Sequence, residues 1–252
     1  MSRAGTKVSR AVMRIFLAAT LVAHLSFVPE AEAYVLNRTI AASGGCPQPN
    51  AQLATSNGVD RRWNTTLGVN ILTTAAGAAQ RMDEVEAVIQ ESFAVWTNAG
   101  TGLKPASLAT LNRIPVPTTN DCNFSDGLNT LCFAQSASFS SGVLAFTTVA
   151  SSDSLSDIVG TKQSQFIGQI LDSDVLFNPA ESFATPTALP TNQNAYDLES
   201  VLVHELGHFF GFSHSGVLRA IMYPFAPPRG QFAGDRPTVQ SPDAPLAEDD
   251  RA

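Results

Sequence analysis

Basic residues are scarce in this chain of 252 residues, which has 15 Lys and Arg against 22 Asp and Glu. The formal net charge is therefore −7 at pH 7. An acidic surface repels phosphate groups, so nucleic acids and anionic membrane surfaces are excluded as partners. The sequence also has no internal repeat, which excludes a solenoid or propeller.

Long apolar runs are equally scarce, and the one at 15–28 is too short to span a bilayer comfortably. Four basic residues precede this run, and Ala31-Glu32-Ala33 offers a small-x-small cleavage site. The segment 1–33 is therefore predicted to be a signal peptide, after whose removal no membrane contact is expected. We expect a secreted monomer, extracellular or periplasmic. The remaining residues suffice for one domain with ragged ends.

The chain has only four histidines, and three of them lie in one run, His204-Glu205-Leu206-Gly207-His208-Phe209-Phe210-Gly211-Phe212-Ser213-His214. On a helix, His204 and His208 project from the same face and can reach one ion. Gly211 is expected to end the helix in a left-handed turn that brings His214 to the metal as third ligand. Three protein ligands leave one coordination position open, as in catalytic zinc sites.

Glu205 follows the first ligand and can hydrogen-bond a metal-bound water without being a ligand itself. The spacing of the whole run would arise by chance on the order of once in 10⁵ chains of this size. Accidental spacing is therefore a poor explanation. A zinc-binding but catalytically inactive secreted domain remains the alternative, although it would not need Glu205. A third hypothesis, a structural domain without metal, leaves the clustering of histidines unexplained.

The pattern H-E-x-x-H-x-x-G-x-x-H, followed by Ile221-Met222-Tyr223-Pro224, resembles the metzincin metallopeptidases. Ser215, directly after the third histidine, is typical of the matrixin (matrix metalloproteinase-like) branch. The resemblance implies one catalytic zinc held by His204, His208 and His214. It also implies Glu205 as general base in peptide hydrolysis and Met222 as a structural methionine beneath the ligands. Proteins or peptides are the substrates that it implies.

The resemblance also predicts an α+β, zincin-like fold with a twisted mixed β-sheet and two main helices. An edge strand for substrate is expected at 143–146, where Val143-Leu144-Ala145-Phe146 resembles the corresponding family strand. An ordinary half-buried strand is an equally good interpretation of these residues. The C-terminal helix of the family is apparently missing, so the chain could be truncated.

The predicted organisation has four parts: a signal peptide at 1–33, a leader at 34–60, a matrixin-like peptidase domain at 61–224 and a Pro/Gly-rich segment at 225–252. Because no histidine remains, a second structural zinc site is not expected. Calcium could bind near Asp172 and Asp174, but exposed carboxylates are more often simply solvated, so no calcium ligands are assigned.

Hydrophobic periodicity predicts the elements that carry these residues. Strands are predicted at 68–74, 109–114, 131–135, 142–149 and 170–177. A helix at 78–99 has an apolar stripe that indicates core packing: Met82, Val85, Ile89, Phe93 and Trp96. The active-site helix is predicted at 196–210, capped by Asn194 or Asp197.

The three cysteines suit an exported protein. Cys122 and Cys132 bracket a loop and could form a local disulfide. Cys46 is then left over. A thiolate that blocks the zinc in a latent form is one interpretation, and a different disulfide or an idle thiol is favoured over it.

Overall fold

The longest strand, β8 (Gln169–Phe177), is buried at all nine of its residues and pairs with strands on both of its edges. The fold is described from a computed structural model. The structure describes residues 61–64, 69–74, 82–99, 109–114, 126–133, 139 and 141–251. The predicted signal peptide and leader, with Cys46, lie outside these residues, as does Cys122.

Two α-helices and ten β-strands make up the described part of the chain. The helices are α1 (Met82–Asn98) and α2 (Leu198–Phe209). The strands are β1 (Arg62–Trp63), β2 (Val69–Thr74), β3 (Ala109–Ile114), β4 (Asn129–Phe133), β5 (Ala145–Ser151), β6 (Ile158–Val159), β7 (Lys162–Gln163), β8 (Gln169–Phe177), β9 (Phe183–Ala184) and β10 (Tyr196–Asp197). Short 3₁₀ helices lie at Leu189–Thr191 and Glu248–Asp250.

Six of these strands form one mixed sheet. β3, β2, β4 and β8 pair in parallel, and β1 pairs in parallel with the first residues of β8. β5 pairs antiparallel along nearly the whole of β8 and with no other described strand, so it is an edge strand. The mixed sheet and the two helices agree with the predicted α+β class.

The predicted elements agree with the observed ones to within a few residues. β3 has the predicted bounds, and β8 begins one residue earlier than predicted. α2 begins at Leu198 rather than at residue 196, because Tyr196 and Asp197 pair with β9 instead. Of the two proposed caps, Asp197 is the one observed, with its carboxylate accepting from the Ser200 N–H at 2.9 Å.

The helix stripe predicted for α1 is its buried face, with Val85, Ile89, Phe93 and Trp96 all at most 7% exposed. α1 and α2 pack against each other, and α2 also contacts β5 and β8. Trp96 donates its indole N–H to the Val203 carbonyl at 2.8 Å, which ties the two helices together.

An aromatic cluster supports the C-terminal end of α2. Trp63 of β1 stacks on Phe209 with ring centroids 4.9 Å apart, and its indole N–H donates to the Phe209 carbonyl at 2.8 Å. Phe93 contacts Phe209 edge-on at 5.6 Å. Each such ring contributes about 1.5–3 kcal/mol through burial, so the end of α2 is firmly held.

All described residues lie in one compact unit, Ala33–Ala252. Among them, no helix has both the length and the apolar character that crossing a membrane requires. The domain boundaries at 33, 60 and 224 remain predictions.

Candidate metal centre

α2 presents two of the three histidines to a cleft beside the edge strand. His204 and His208 are one helical turn apart, and their ring centroids are separated by 5.0 Å. Leu198, Val201, Leu202, Leu206 and Phe209 of the helix are buried. Core packing therefore fixes which side of the helix faces the cleft.

A tight turn at Gly211 reverses the chain after α2. Gly211 has φ of +102°, and its N–H donates to the His208 carbonyl at 2.9 Å while the Phe212 N–H donates to the Gly207 carbonyl at 2.9 Å. These two bonds define a Schellman motif. A Cβ on Gly211 would lie 2.4 Å from the Arg61 carbonyl oxygen, so glycine is required for space as well as for φ. The turn leads the chain back to His214, as predicted.

The ligand atoms of His204, His208 and His214 lie within 4.8 Å of one another. No other group of three or more His, Cys, Asp or Glu side chains in the described ranges converges in this way. His208 Nε2 and His214 Nε2 are only 3.2 Å apart. Two nitrogens bound at 2.0–2.1 Å to a tetrahedral ion would be separated by about 3.3–3.4 Å, so the spacing fits zinc.

Backbone carbonyls set the tautomers of the two helical histidines. His204 Nδ1 lies 2.7 Å from the Ile221 carbonyl oxygen, and His208 Nδ1 lies 2.8 Å from that of Phe212. Because a carbonyl only accepts, each Nδ1 carries the proton and each Nε2 carries a lone pair. Such contacts orient metal-binding imidazoles in proteins. The donor set therefore fits a zinc ion.

Burial favours the neutral form of these imidazoles. It lowers the pKa of both His204 and His208 to about 4 and also lowers the pKa of His214. Neutral imidazoles with free Nε2 lone pairs are the form that binds metal.

Glu205 lies beside this group, 5% exposed, and its side chain contacts the edge strand. The Thr147 hydroxyl of β5 is 2.6 Å from Glu205 Oε2 and 3.0 Å from the Glu205 carbonyl oxygen. Burial raises the pKa of the Glu205 carboxyl, while the neighbouring His208 and the Thr147 hydrogen bond oppose that rise.

Met222 lies beneath α2, where a Cβ on Gly207 would be 2.1 Å from its sulfur. The contact explains glycine at position 207, since any side chain there would displace Met222. Met222 lies in a turn at 220–223, the methionine turn, in which the Tyr223 N–H donates to the Ala220 carbonyl at 3.1 Å. The Met222 carbonyl accepts from the Ser215 N–H at 2.9 Å, which joins the methionine turn to the residue after His214.

Asp250 holds the turn from the other side. Its carboxylate accepts from the Ile221 N–H at 2.7 Å and from the Met222 N–H at 3.0 Å. The neighbouring Asp249 carboxylate accepts from the Ser215 hydroxyl. Burial raises the pKa of Asp250, although the backbone N–H groups partly offset it. The last described turn of the chain thus supports the floor of the site.

The histidines and Glu205 open into a cleft of about 1600 Å³. One wall is the edge strand with its preceding turn, and Tyr223 and Pro224 also line the cleft. Residues 225–228 and 232–235, in the segment predicted to be Pro/Gly-rich, also line the cleft.

Two arginines of the segment 225–252 bind residues before α2 and in its first turn. Arg229 donates to the Asn194 carbonyl at 2.8 Å and pairs with Glu181 at 2.6 Å. Arg236 forms ion pairs with the buried carboxylates of Asp197 and Glu199. Burial raises the pKa of Glu199 to about 7, against the opposing charge of Arg236. The cleft wall is therefore anchored by charge.

Asp172 and Asp174, considered for calcium, lie on β8 and are each 1% exposed rather than solvated. Asp172 accepts from the Gly127 N–H at 3.2 Å and Asp174 from the Thr130 N–H at 2.9 Å. Burial and the nearby Asp172 charge raise the pKa of Asp174 to about 8. Calcium binding remains a prediction without assigned ligands.

Cys132 is disulfide-bonded, which agrees with one half of the predicted pairing. Its partner lies outside the described residues, so the pairing with Cys122 remains a prediction.

Three contacts of the site were missed by sequence reasoning: Thr147 with Glu205, Asp250 with the methionine turn, and Arg236 with the start of α2. Their partners are 58, 28–29 and 37–39 residues away in sequence. The position of Thr147 next to the suggested substrate strand was a usable signal. The contacts of Asp250 and Arg236 had no such signal in the sequence, because acidic residues in tails and arginines in loops are usually solvated.

Comparison with known proteins agrees with this geometry. The matrixin family model matches residues 145–238, which include the edge strand, α2 and the methionine turn. A Glycine max protein, Metalloendoproteinase 1, is 67% identical over 36 residues, which are 14% of this chain and 12% of that protein. Two Arabidopsis thaliana proteins are also similar. Metalloendoproteinase 4-MMP is 46% identical over 52 residues, which are 21% of this chain and 15% of the relative. Metalloendoproteinase 2-MMP is 47% identical over 57 residues, which are 21% and 14%.

The matched part of the chain thus spans 12–15% of the length of these curated relatives. The family model matches 94 residues, 145–238. Over that segment the chain is similar to the matrixins, which agrees with the resemblance seen in its sequence.

Proposed function

We propose that this chain is a secreted zinc endopeptidase that hydrolyses peptide bonds of extended protein substrates. One observation carries the proposal: three imidazoles, whose lowered pKa values favour the neutral form, converge beside a buried glutamate in an open cleft. The printed names of the similar plant proteins, all metalloendoproteinases, support the same chemistry.

His204, His208 and His214 would hold one zinc ion, the first two through Nε2. When bound, zinc would act as a Lewis acid toward a carbonyl and lower the pKa of a coordinated water. Met222 acts as a packing floor rather than as a ligand, because its sulfur is directed at Gly207 of α2.

Glu205 is the proposed general base. Its carboxylate lines the cleft next to the histidines and can take a proton from the attacking water. The water oxygen forms a bond to the scissile carbonyl carbon, and the carbon–nitrogen bond then breaks. Glu205 delivers the same proton to the departing amine nitrogen, so the carboxylate is regenerated.

The edge strand β5 is the proposed docking strand for substrate. One of its edges pairs with β8, and its other edge has no described strand partner beside the cleft. An extended peptide could add there through main-chain hydrogen bonds, which hold a substrate without reading its sequence. The exposed side chains of Leu218 and Phe225 (76% and 74%) border the same cleft and offer apolar contact.

The alternative is a zinc-binding secreted domain without catalysis. The position of Glu205 favours the enzyme, because a buried carboxylate is costly and a purely structural metal site does not need one. The signal peptide at 1–33, the leader at 34–60, the peptidase domain at 61–224 and the monomeric state are part of the same proposal.

Cleavage of an unfolded protein substrate, measured with and without a zinc chelator, tests the proposal. Glu205→Ala should keep one zinc per chain and lose cleavage by at least about 10³-fold, in line with removal of a general base and its charge. Glu91→Ala, on an exposed position of α1, is the matched control and should cleave like the wild type. Zinc binding without cleavage by the wild type would favour the alternative, and cleavage by Glu205→Ala would refute its role.

A further inference from the structure

The general base is held by a side chain of the strand that borders the substrate cleft. Thr147 lies in the middle of β5, paired with Val175 of β8. Its hydroxyl reaches Glu205 Oε2 at 2.6 Å, a distance typical of a charge-assisted O–H···O⁻ hydrogen bond. The contact joins two elements that are 58 residues apart in sequence.

This bond distinguishes the two oxygens of the carboxylate. A threonine hydroxyl has one proton, and the carboxylate can only accept, so Oε2 is occupied by Thr147. Oε1 has no hydrogen-bond partner among the described residues and remains the oxygen that can accept from water. Glu205 is 5% exposed, so few solvent molecules could replace Thr147 if its hydroxyl were removed.

The neighbouring residue shows that this placement is specific to one face of the strand. Side chains alternate along β5, and Thr148 does not line the cleft whereas Thr147 and Val149 do. Thr148 contacts β8 through its carbonyl, which accepts from the Ser173 hydroxyl at 2.8 Å. The two threonines are thus chemically identical and differently placed.

We propose that Thr147 is the positioning residue of Glu205, fixing its carboxylate for proton transfer and coupling it to the strand on which the substrate docks. This inference rests on the proposed function. Thr147 touches no reacting atom itself. A peptide that adds to β5 would meet a base whose orientation is set by the same strand. β5 would therefore position both the substrate and the Glu205 carboxylate.

Thr147→Val removes the hydroxyl at nearly constant shape, and Thr147→Ser keeps it. We expect Thr147→Val to lower kcat by about 10–100-fold, as loss of precise positioning does, with KM changed by less than about twofold. Thr147→Ser should restore kcat to within about threefold of the wild type, since its hydroxyl can make the same bond. The matched control Thr148→Val should leave both constants unchanged.

A second readout needs neither metal nor activity. Unfolding temperatures of the chelated protein are compared for the wild type, Thr147→Val, Glu205→Ala and the double variant. If the hydroxyl acts on the carboxylate, Thr147→Val should lower the unfolding temperature by roughly 2–4 °C in the wild type and by less than about 1 °C beside Glu205→Ala. Equal losses in both backgrounds would assign the hydroxyl to the Glu205 carbonyl alone and overturn the proposal.

The outcomes separate this inference from the proposed function. A wild-type chain that binds zinc and cleaves nothing overturns the enzymatic function and the catalytic part of this role with it. A cleaving wild type with an unaffected Thr147→Val variant overturns the role of Thr147 alone. Loss of kcat in Thr148→Val as large as in Thr147→Val would also overturn it, because the effect would then belong to the strand in general.

Discussion

The three half-buried histidines that line the cleft and the two buried aspartates of β8 are both groups of potential metal ligands, but their atoms are directed differently. His204 and His208 have their Nδ1 atoms bonded to backbone carbonyls, and the ligand nitrogens of all three histidines lie within 4.8 Å of one another. Asp172 and Asp174 instead each use an oxygen to accept a backbone N–H from the β4 region.

This difference teaches that the direction of the ligand atoms decides whether a cluster of titratable side chains is suited to bind a cation. The number of acidic or basic groups does not decide it. The histidines stay neutral and direct their lone pairs at one point, which a cation would stabilise. Asp174 retains its proton up to a pKa of about 8, because burial and the neighbouring Asp172 disfavour a second charge. One cluster is built for a cation, and the other is neutralised by a proton.

The largest expected effect comes from removing one of the converging lone pairs. His214→Ala should abolish the stabilisation by zinc, about 4 kcal/mol at a free concentration roughly 1,000 times Kd. In the chelated protein the difference between the variant and the wild type should be much smaller, because the contribution of bound zinc is absent from both. Thermal unfolding with zinc and with chelator measures both. Undiminished zinc stabilisation of the variant would contradict the site.

Asp250 provides a buried carboxylate of a third kind, with both oxygens accepting backbone N–H groups. Asp250→Ala leaves the N–H groups of Ile221 and Met222 without this acceptor and should cost about 3 kcal/mol of unfolding free energy. Asp250→Asn, which keeps one acceptor, should lose less. Denaturant unfolding of the three proteins gives the order, and equal stability of wild type and Asp250→Ala would show that the turn stands without it.

Arg236 sharpens the comparison, because it pairs directly with Asp197 and Glu199, whereas the neighbouring charge that most affects Asp174 is that of Asp172, which has the same sign. Arg236 is about one third exposed, so solvent screens part of the interaction. Arg236→Gln should therefore cost about 2 kcal/mol, below the usual loss for breaking a fully buried pair. Arg236→Lys should recover part of it. Chemical denaturation at low and high salt measures the loss, and a difference independent of the charge at position 236 would speak against an electrostatic anchor.

The smallest effect concerns pH. The pKa of Asp174 is raised in the folded chain from 3.8 to about 8, so the folded state binds more protons than the unfolded state between these values. Stability contributed by the protonated form is therefore fully present below about pH 4 and is lost as pH rises towards 8. Asp174→Asn removes this loss and should be more stable than the wild type by about 1.5 kcal/mol at pH 5, roughly one pH unit above the unfolded value of 3.8, and indistinguishable at pH 3. Parallel pH–stability curves of both proteins would contradict the assignment.

Local spacing was enough to predict that His204, His208 and His214 converge. It was not enough to predict the distant residues that contact and support this group. The four-residue step from His204 to His208 and the glycine at 211 are properties of one helix and its end, so sequence reveals them. The apolar stripe of α1 is similarly local. The sheet order, with β8 between β4 and β5, follows from pairings between distant segments and left no local trace.

The same limit explains the misjudged carboxylates. Asp172 and Asp174 were expected to be solvated because most aspartates are. They are buried because the flanking apolar residues of β8 place the strand between two neighbours, and the β4 region supplies their N–H donors. Only the assembled sheet shows this.

The hold of Asp249 and Asp250 on the methionine turn sets the minimum length of a working fragment. The family model ends at residue 238, yet the carboxylates that accept from Ser215, Ile221 and Met222 come a dozen residues later. A fragment that ends at residue 238 would keep His204, His208 and His214. It would still lose the carboxylate that accepts from the N–H groups of Ile221 and Met222. Anyone dissecting the chain should therefore cut no earlier than its final aspartate.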